Sequence, residues 1–124
     1  MARLDRDAGA DGPVVKGFAN GGFVVGESVY RTLQLTPLRA EEWAAPPVAQ
    51  LAEADLDTLL ALDPAPEFLL LGTGPRLSHP PRALREALER RGIGLEVMDS
   101  RAAARVWGLL RGEERWIVAA LMPL

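Results

Sequence analysis

Residues 67–75 contain the feature that most constrains the fold, an uninterrupted apolar run that ends at a glycine-rich turn. The run reads Glu-Phe-Leu-Leu-Leu, and the turn that follows reads Gly-Thr-Gly-Pro. Successive side chains of a β-strand point to opposite faces, so an apolar run of this kind needs cover on both faces. The sequence therefore predicts a central strand inside a layered α/β domain.

Helices and strands alternate after this central strand. Apolar residues at helical spacing predict a helix over residues 81–91, with a proline at its start and a glycine at its end. A short strand is predicted over 95–98, a second helix over 101–110, and a last, almost wholly apolar strand over 116–122. Connections of this length favour parallel pairing of the first two strands, right-handed crossovers and helices packed on the sheet.

The N-terminal half is predicted to consist mainly of β-strands. Residues 14–18 and 23–25 flank an Asn-Gly-Gly turn, which is typical of a β-hairpin. We expect a third, half-exposed strand over 28–35, a connecting loop over 37–47 and a short helix over 53–62.

Length and composition limit the domain organisation and the class of partner. The 124 residues suffice for one hydrophobic core, so we expect one α/β domain with a mixed central sheet over residues 13–124, preceded by a disordered polar tail over 1–12. A net charge of -3 argues against a nucleic-acid-binding protein. No apolar stretch reaches the roughly 18 residues that a membrane span needs, and no export signal is evident, so a cytoplasmic protein is expected.

Few residues of the chain are suited to catalysis or metal binding. There is no cysteine, the only histidine is His79, and no Gly-x-Ser-x-Gly motif surrounds a serine. Ser78 and His79 are neighbours on a predicted loop, where their side chains diverge instead of forming a nucleophile and base pair. We therefore expect no catalytic residue, no metal site and no cofactor.

The polar residues best placed to bind a ligand lie near the ends of the predicted strands. The carboxyl ends of parallel strands share one rim of the sheet, and ligands bind at that rim in open α/β sheets. The predicted pocket comprises six residues, namely Gly72, Thr73, Gly74, Asp99, Ser100 and Arg115.

Each feature of this predicted pocket also has a purely structural interpretation. Two glycines let the chain leave a buried strand through a tight turn, and Asp99 suits the N-cap of the following helix. A dinucleotide site is disfavoured, because Leu77 stands where the third glycine of Gly-x-Gly-x-x-Gly is needed and Pro75 lacks a backbone donor.

Three motifs in the second half of the chain resemble those of one protein family. They are Leu69–Gly74, Gly92–Ala103 and Glu114–Leu121. In this order they resemble the small Mth-type domain family of uncharacterised bacterial and archaeal proteins, which is similar to mitochondrial complex I assembly factor three and to the adipogenesis-associated Mth-domain protein. The resemblance extends over nearly the whole chain from Val14 onward. It implies a mixed central sheet whose last strand runs antiparallel to its neighbours, and a small extra β layer from the N-terminal strands.

Some positions depart from the motif that the family usually carries. Ser100 replaces a threonine and so keeps a hydroxyl group, whereas Trp107 and Gly108 replace a Tyr-Asn pair. The loss of the asparagine amide puts any polar role at that position in doubt, while Arg115 matches the arginine that precedes the last strand. The resemblance implies no established catalytic activity.

We therefore expect a soluble, non-enzymatic accessory or interaction domain that binds a protein partner and assists the assembly of a larger complex. The alternative is a small-molecule-binding or weakly catalytic domain that uses the polar rim. Trp43 and Trp107 are the first candidates for a protein contact because aromatic side chains dominate interface energetics, and core packing is the other interpretation of each. The partner and the oligomeric state stay open at the level of sequence.

Overall fold

The computed structural model describes residues 12–124, in which eight β-strands form two sheets and three α-helices pack against the larger sheet. The predicted polar tail lies outside the described residues, apart from Gly12. The layered α/β architecture with an additional small β layer is confirmed.

The small sheet is an antiparallel meander of strands β1 (Gly17–Ala19), β2 (Gly22–Val25) and β3 (Ser28–Tyr30). The predicted hairpin is confirmed, with Asn20 at the turn in the left-handed region at a φ of 54°. The hairpin is held by ring packing as well as by its ladder, because the cross-strand rings of Phe18 and Phe23 meet edge to face at 6.1 Å.

The large sheet contains five strands. They are β4 (Leu33–Leu35), β5 (Ala40–Glu41), β6 (Phe68–Gly72), β7 (Gly94–Met98) and β8 (Val118–Leu121), and they lie in the order β5-β4-β8-β6-β7. The predicted central strand is β6, whose last four residues are buried and which pairs in parallel with both β7 and β8. The parallel pairing predicted for the first two strands of the C-terminal unit is therefore confirmed.

The direction of the last strand differs from what the family resemblance implies. Strand β8 runs parallel to β6, and only its contact with β4 is antiparallel. The reason is the 13-residue helix between β7 and β8. This helix is about 20 Å long and returns the chain to the end of the sheet where β7 begins, so β8 runs in the same direction as β7 and β6.

The prediction of one half-exposed strand over residues 28–35 is wrong. The segment divides at Arg31 and Thr32, so that β3 joins the small sheet while β4 joins the large one. Every residue of β4 is buried, because β4 pairs on both sides. The predicted loop over 37–47 likewise contains β5, which pairs with β4 after a tight turn at Thr36.

The helices form where the sequence predicts them. Residues 53–60 begin as a 3-10 turn over Glu53–Leu56 and continue as α1 (Asp57–Leu60), while α2 spans Arg82–Arg90 and α3 spans Ser100–Gly112. Helix α2 buries leucines at helical spacing on the face of the sheet that carries Leu69 and Leu71.

Helix α3 covers the other face of the large sheet. Trp107 and its neighbouring alanines pack there against Leu70 and against Phe23 of the small sheet. The connections from β6 to β7 and from β7 to β8 run in opposite directions across the sheet, which is why right-handed crossovers place their helices on opposite faces. In open α/β sheets such a reversal creates a crevice at the carboxyl ends of the strands.

Candidate functional site

The strand-end rim, defined here as Gly72–Gly74 together with Asp99 and Ser100, lies where the chain leaves β6 and β7 toward opposite faces of the sheet. The backbone of this rim is held by regular hydrogen bonds. The Thr73 amide donates to the Met98 carbonyl at 2.9 Å, and the Ser100 amide donates to the Gly74 carbonyl at 2.8 Å. The structure thus brings together five of the six residues predicted to form a pocket.

Ser100 closes the crevice at the centre of the strand-end rim. Its side chain has no exposed surface, its hydroxyl donates to the Met122 carbonyl at 2.7 Å, and the same oxygen accepts from the Gly74 amide at 2.8 Å. One side chain therefore ties together the segments that follow β6, β7 and β8. The hydroxyl thus donates one hydrogen bond and accepts another, both with backbone groups of the protein.

Gly72 permits this close approach of the three segments. A Cβ atom at Gly72 would lie 2.9 Å from the Ser100 Cα and 2.8 Å from the Leu121 Cδ2, which is too close for real side chains. Gly74 has a different role, because its φ of 103° lies in the region that side chains rarely adopt. Of the two glycines in this turn, Gly74 is therefore the one with a positive φ.

Thr73 organises the loop that leaves the strand-end rim toward α2. Its hydroxyl donates to the Arg76 carbonyl at 2.7 Å and accepts from the Ser78 amide at 3.0 Å, and only 7% of the residue is exposed. These are the bonds of a side chain that fixes a turn. The Thr73 hydroxyl, like that of Ser100, serves the backbone around it.

Asp99 is the N-cap of α3, as the structural interpretation of the sequence predicts. Its Oδ1 accepts from the Ala102 amide at 2.9 Å, and its backbone is extended, with a φ of -65° and a ψ of 162°. A carboxylate in this position also complements the positive end of the helix dipole.

Arg115 lies at the other end of the sheet and does not join the strand-end rim. Arg115 precedes β8, and its guanidinium forms a bidentate ion pair with Glu67, the residue just before β6. The shortest contact, from Arg115 Nη2 to Glu67 Oε1, is 2.8 Å. Because β6 and β8 are parallel, their starts and ends are separated by the length of a strand, about 16 Å for five residues. We call Glu67 and Arg115 the ion-pair end of the sheet.

The ion-pair end has its own hydrogen-bond network. Hydrogen bonds from Arg115 and then from the Trp116 amide lower the pKa of the Glu67 carboxyl group, and the same contact raises the pKa of Arg115. The Arg115 guanidinium also lies over the ring of Phe68 at 5.6 Å, and the Trp116 indole donates to the Pro64 carbonyl at 2.7 Å. These contacts fasten the segment before β8 to the start of β6.

The two tryptophans named as candidates for a protein contact are engaged in the fold. Trp107 has no exposed surface, and its indole donates to the Pro13 carbonyl at 2.9 Å, so core packing is the correct interpretation and the contact prediction is wrong for this residue. Trp43 is partly buried, and its indole donates to the Leu121 carbonyl at 3.3 Å. Trp43 also lines a shallow concavity with Arg31 and Glu42.

Three exposed leucines were not singled out by sequence reasoning. Leu38 is 72% exposed at the turn between β4 and β5, Leu109 is 67% exposed on α3, and Leu77 lies on the loop after β6. They occupy three different elements, and single exposed apolar side chains are common on protein surfaces. By themselves they assign no site.

The edge strand β7 is a second feature that sequence reasoning missed. It pairs with β6 on one side, and no strand of residues 12–124 pairs with its other side. Its five residues are all exposed or partly buried, in contrast to the buried end of β6. The mixed burial follows from the position at the edge, which an apolar pattern alone does not reveal.

The described part of the chain shows no arrangement suited to a metal ion. Within residues 12–124 no three side chains of His, Cys, Asp or Glu gather at one place.

None of the helices in residues 12–124 is long and apolar enough to cross a membrane. A groove of about 450 Å³ lies between residues 49–53 and α2, lined by Leu51, Leu84 and Arg90 among others, and so away from the strand-end rim.

Known proteins similar to this chain share both its sequence pattern and its fold. Residues 15–122 match a family described as "Protein of unknown function (DUF498/DUF598)". The NADH dehydrogenase (ubiquinone) 1 alpha subcomplex assembly factor 3 of Danio rerio is 30% identical over 121 residues, which are 97% of this chain and 69% of that protein.

Two solved bacterial structures have the same fold. A crystal structure of a Bordetella parapertussis protein superposes with a TM-score of 0.81 at 29% identity, covering 90% of this chain and 96% of that one. A solution structure from Bordetella pertussis, described as a Mth938-like domain, gives a TM-score of 0.79 at 26% identity and covers 99% and 92% of the two chains. The family match over almost all described residues and the shared two-sheet fold lead to one assignment: this chain belongs to the DUF498/DUF598 family and has the fold of Mth938-like domains.

Proposed function

We propose that this chain is a protein-binding accessory domain that assists the assembly of a multisubunit complex. The observation that carries the proposal is its similarity, over 97% of its length, to a vertebrate protein named as an assembly factor of NADH dehydrogenase. An assembly factor acts by binding incomplete partners and needs no catalytic residues of its own.

The geometry of the strand-end rim supports binding of protein over binding of a small molecule. The hydroxyl groups of Thr73 and Ser100 are occupied by backbone partners, and Arg115 lies about one strand length away. A ligand that bound through these two hydroxyl groups would have to replace hydrogen bonds that link the ends of three strands. Small-molecule binding at Gly72, Thr73, Gly74, Asp99 and Ser100 stays a prediction from the sequence.

The complex that we propose as the target is a respiratory NADH dehydrogenase, because that is the complex in the name of the relatives. A cytoplasmic location is part of the same proposal. The chain contains no cysteine, so it has no disulfide bond that a reducing compartment would break, and this composition is compatible with a cytoplasmic location.

Deletion of the gene in its own host tests the proposed function. We expect native gel electrophoresis to show less assembled NADH dehydrogenase and an accumulation of smaller subcomplexes, with recovery when the wild-type gene is returned. The ATP synthase on the same gel is the control and should not change. Normal NADH dehydrogenase assembly in the deletion strain would overturn the proposal.

A further inference from the structure

We propose that the free edge of β7 binds an extended, basic segment of the protein partner as an added strand of the large sheet. The inference rests on the proposed function, since it identifies how that partner is bound. It starts from the register of β7 and from the charge of one residue, Glu96.

The backbone groups of β7 that are available to a partner follow from its pairing with β6. The Gly94 amide donates to the Glu67 carbonyl at 3.0 Å, and the Met98 carbonyl accepts from the Thr73 amide at 2.9 Å, so residues 94 and 98 direct their backbone groups toward β6. The direction of the backbone N–H and C=O groups alternates along a strand. The groups of Glu96 therefore also point toward β6, whereas those of Leu95 and Val97 point away from β6. Two amides and two carbonyls therefore stand at the open edge.

Other edges in the described part of the chain are less suited to strand addition. Strand β5, at the opposite edge of the large sheet, has two residues, and the outer strands of the small sheet have three each. Short edge strands protect a sheet from pairing with other chains. Strand β7 has five residues and contains no proline.

The side chains of β7 define what an added strand must contain. Leu95 and Val97 are half-buried at the margin of the core beneath α2, so an added strand would extend this core with apolar residues of its own. Glu96 is exposed on the opposite face and has no ion pair with any residue of 12–124. A lysine or arginine opposite Glu96 would form a cross-strand charge pair, which the net charge of -3 also favours.

A second copy of this chain fits the same edge less well. Antiparallel pairing centred on β7 would place Glu96 opposite Glu96 of the other copy, and like charges in that position destabilise a sheet. The occupant that satisfies both faces is a segment with apolar, basic and apolar residues in succession.

Two labelled peptides test the proposal on the full chain. One contains Thr-Val-Lys-Val-Thr and the other Thr-Val-Glu-Val-Thr, and binding is followed by amide chemical shifts and hydrogen exchange. We expect the lysine peptide to bind at least about fivefold more tightly, and to slow exchange of the Leu95 and Val97 amides. Glu96→Lys should reverse the preference, and this exposed substitution leaves the core intact.

Val97→Pro removes one outward amide without removing a hydrogen bond to β6, and should abolish binding, whereas Val97→Ala keeps the amide and should bind. Equal binding of both peptides, or shifts confined to another surface, would overturn the proposal. A dimer in solution that Glu96→Lys or Val97→Pro dissociates, without peptide binding, would assign the edge to a second copy and overturn it as well.

Complementation separates this inference from the proposed function. If the wild-type gene restores NADH dehydrogenase assembly and Glu96→Lys does not, both hold. If both genes restore it equally, the function stands and the β7 inference fails. If deletion has no effect on assembly, the proposed function fails, while the peptide measurements still decide whether the edge binds a basic strand.

Discussion

The two ends of the parallel strands are stabilised in opposite ways. At the strand-end rim, the buried hydroxyl of Ser100 joins three segments through uncharged hydrogen bonds. At the ion-pair end, Glu67 and Arg115 face water and interact through full charges. Buried neutral bonds are costly to lose because their partners cannot turn to water, whereas an exposed ion pair is replaced by solvent. The buried hydrogen bonds of Ser100 at the strand-end rim should therefore contribute more stability than the exposed ion pair.

The largest effect should come from Ser100→Ala. The substitution leaves the Gly74 amide and the Met122 carbonyl buried without their present partner, at a cost of about 2–4 kcal/mol in the free energy of unfolding. Urea denaturation followed by tryptophan fluorescence measures it. Ser28→Ala removes a hydroxyl from an exposed serine and should change stability by less than about 0.5 kcal/mol. Equal effects of the two substitutions would contradict the role given to Ser100.

Gly72→Ala should cost about 1–3 kcal/mol, because the new methyl group would lie 2.9 Å from the Ser100 Cα and the strands would have to separate. Gly108→Ala is the matched control, since a Cβ at Gly108 on α3 meets open space and alanine is the better helix former by about 0.5–1 kcal/mol. Thermal melting should therefore shift in opposite directions for the two variants. An unchanged or raised melting temperature for Gly72→Ala would contradict the close packing at this position.

Asp99→Ala should cost about 1 kcal/mol through loss of the α3 cap, and Asp99→Asn should be nearly neutral because asparagine also caps helices. Chemical denaturation of both variants distinguishes a cap from a charge effect. Should the asparagine variant prove as unstable as the alanine variant, the negative charge would matter more than the hydrogen bond.

The smallest effect is expected at the ion-pair end. Since the pKa of Glu67 is lowered in the folded protein, its contribution to stability is present above the ordinary glutamate value of 4.5 and is lost as the pH falls through the lowered value. Glu67→Gln should flatten the pH dependence of stability in that acidic range and change stability little at pH 7. High salt should weaken the wild-type contribution. An unchanged acid profile in the variant would contradict the assignment.

Sequence patterns predicted the parts of this fold that depend on local spacing. The apolar run of β6, the hairpin turn at Asn20, and the helices α2 and α3 were found because turn chemistry and periodicity are local properties. The division between β3 and β4 was missed because it is decided by which sheet each strand pairs with. No local property of residues 28–35 reports that pairing.

The candidate pocket shows the same limit. Gly72, Thr73, Gly74, Asp99 and Ser100 were expected to lie together because they follow neighbouring strands, and the structure places them together. Arg115 was added to them although it precedes its strand, and the parallel direction of β8 carries it to the other end. Sequence reasoning also could not show that the hydroxyls at the rim are used internally, since that depends on distances between segments far apart in the chain.

The position of β8 has a consequence for biosynthesis. It follows the seven other described strands in sequence, yet it lies between β4 and β6 and is the only strand that hydrogen-bonds to both. Until residues 118–121 have been made, the β4–β5 pair and the β6–β7 pair cannot join into one sheet, and each pair, where it forms, has an unpaired inner edge. Unpaired edges of this kind invite pairing with other nascent chains. The large sheet becomes one unit only when β8 inserts, so it is completed after this segment leaves the exit tunnel.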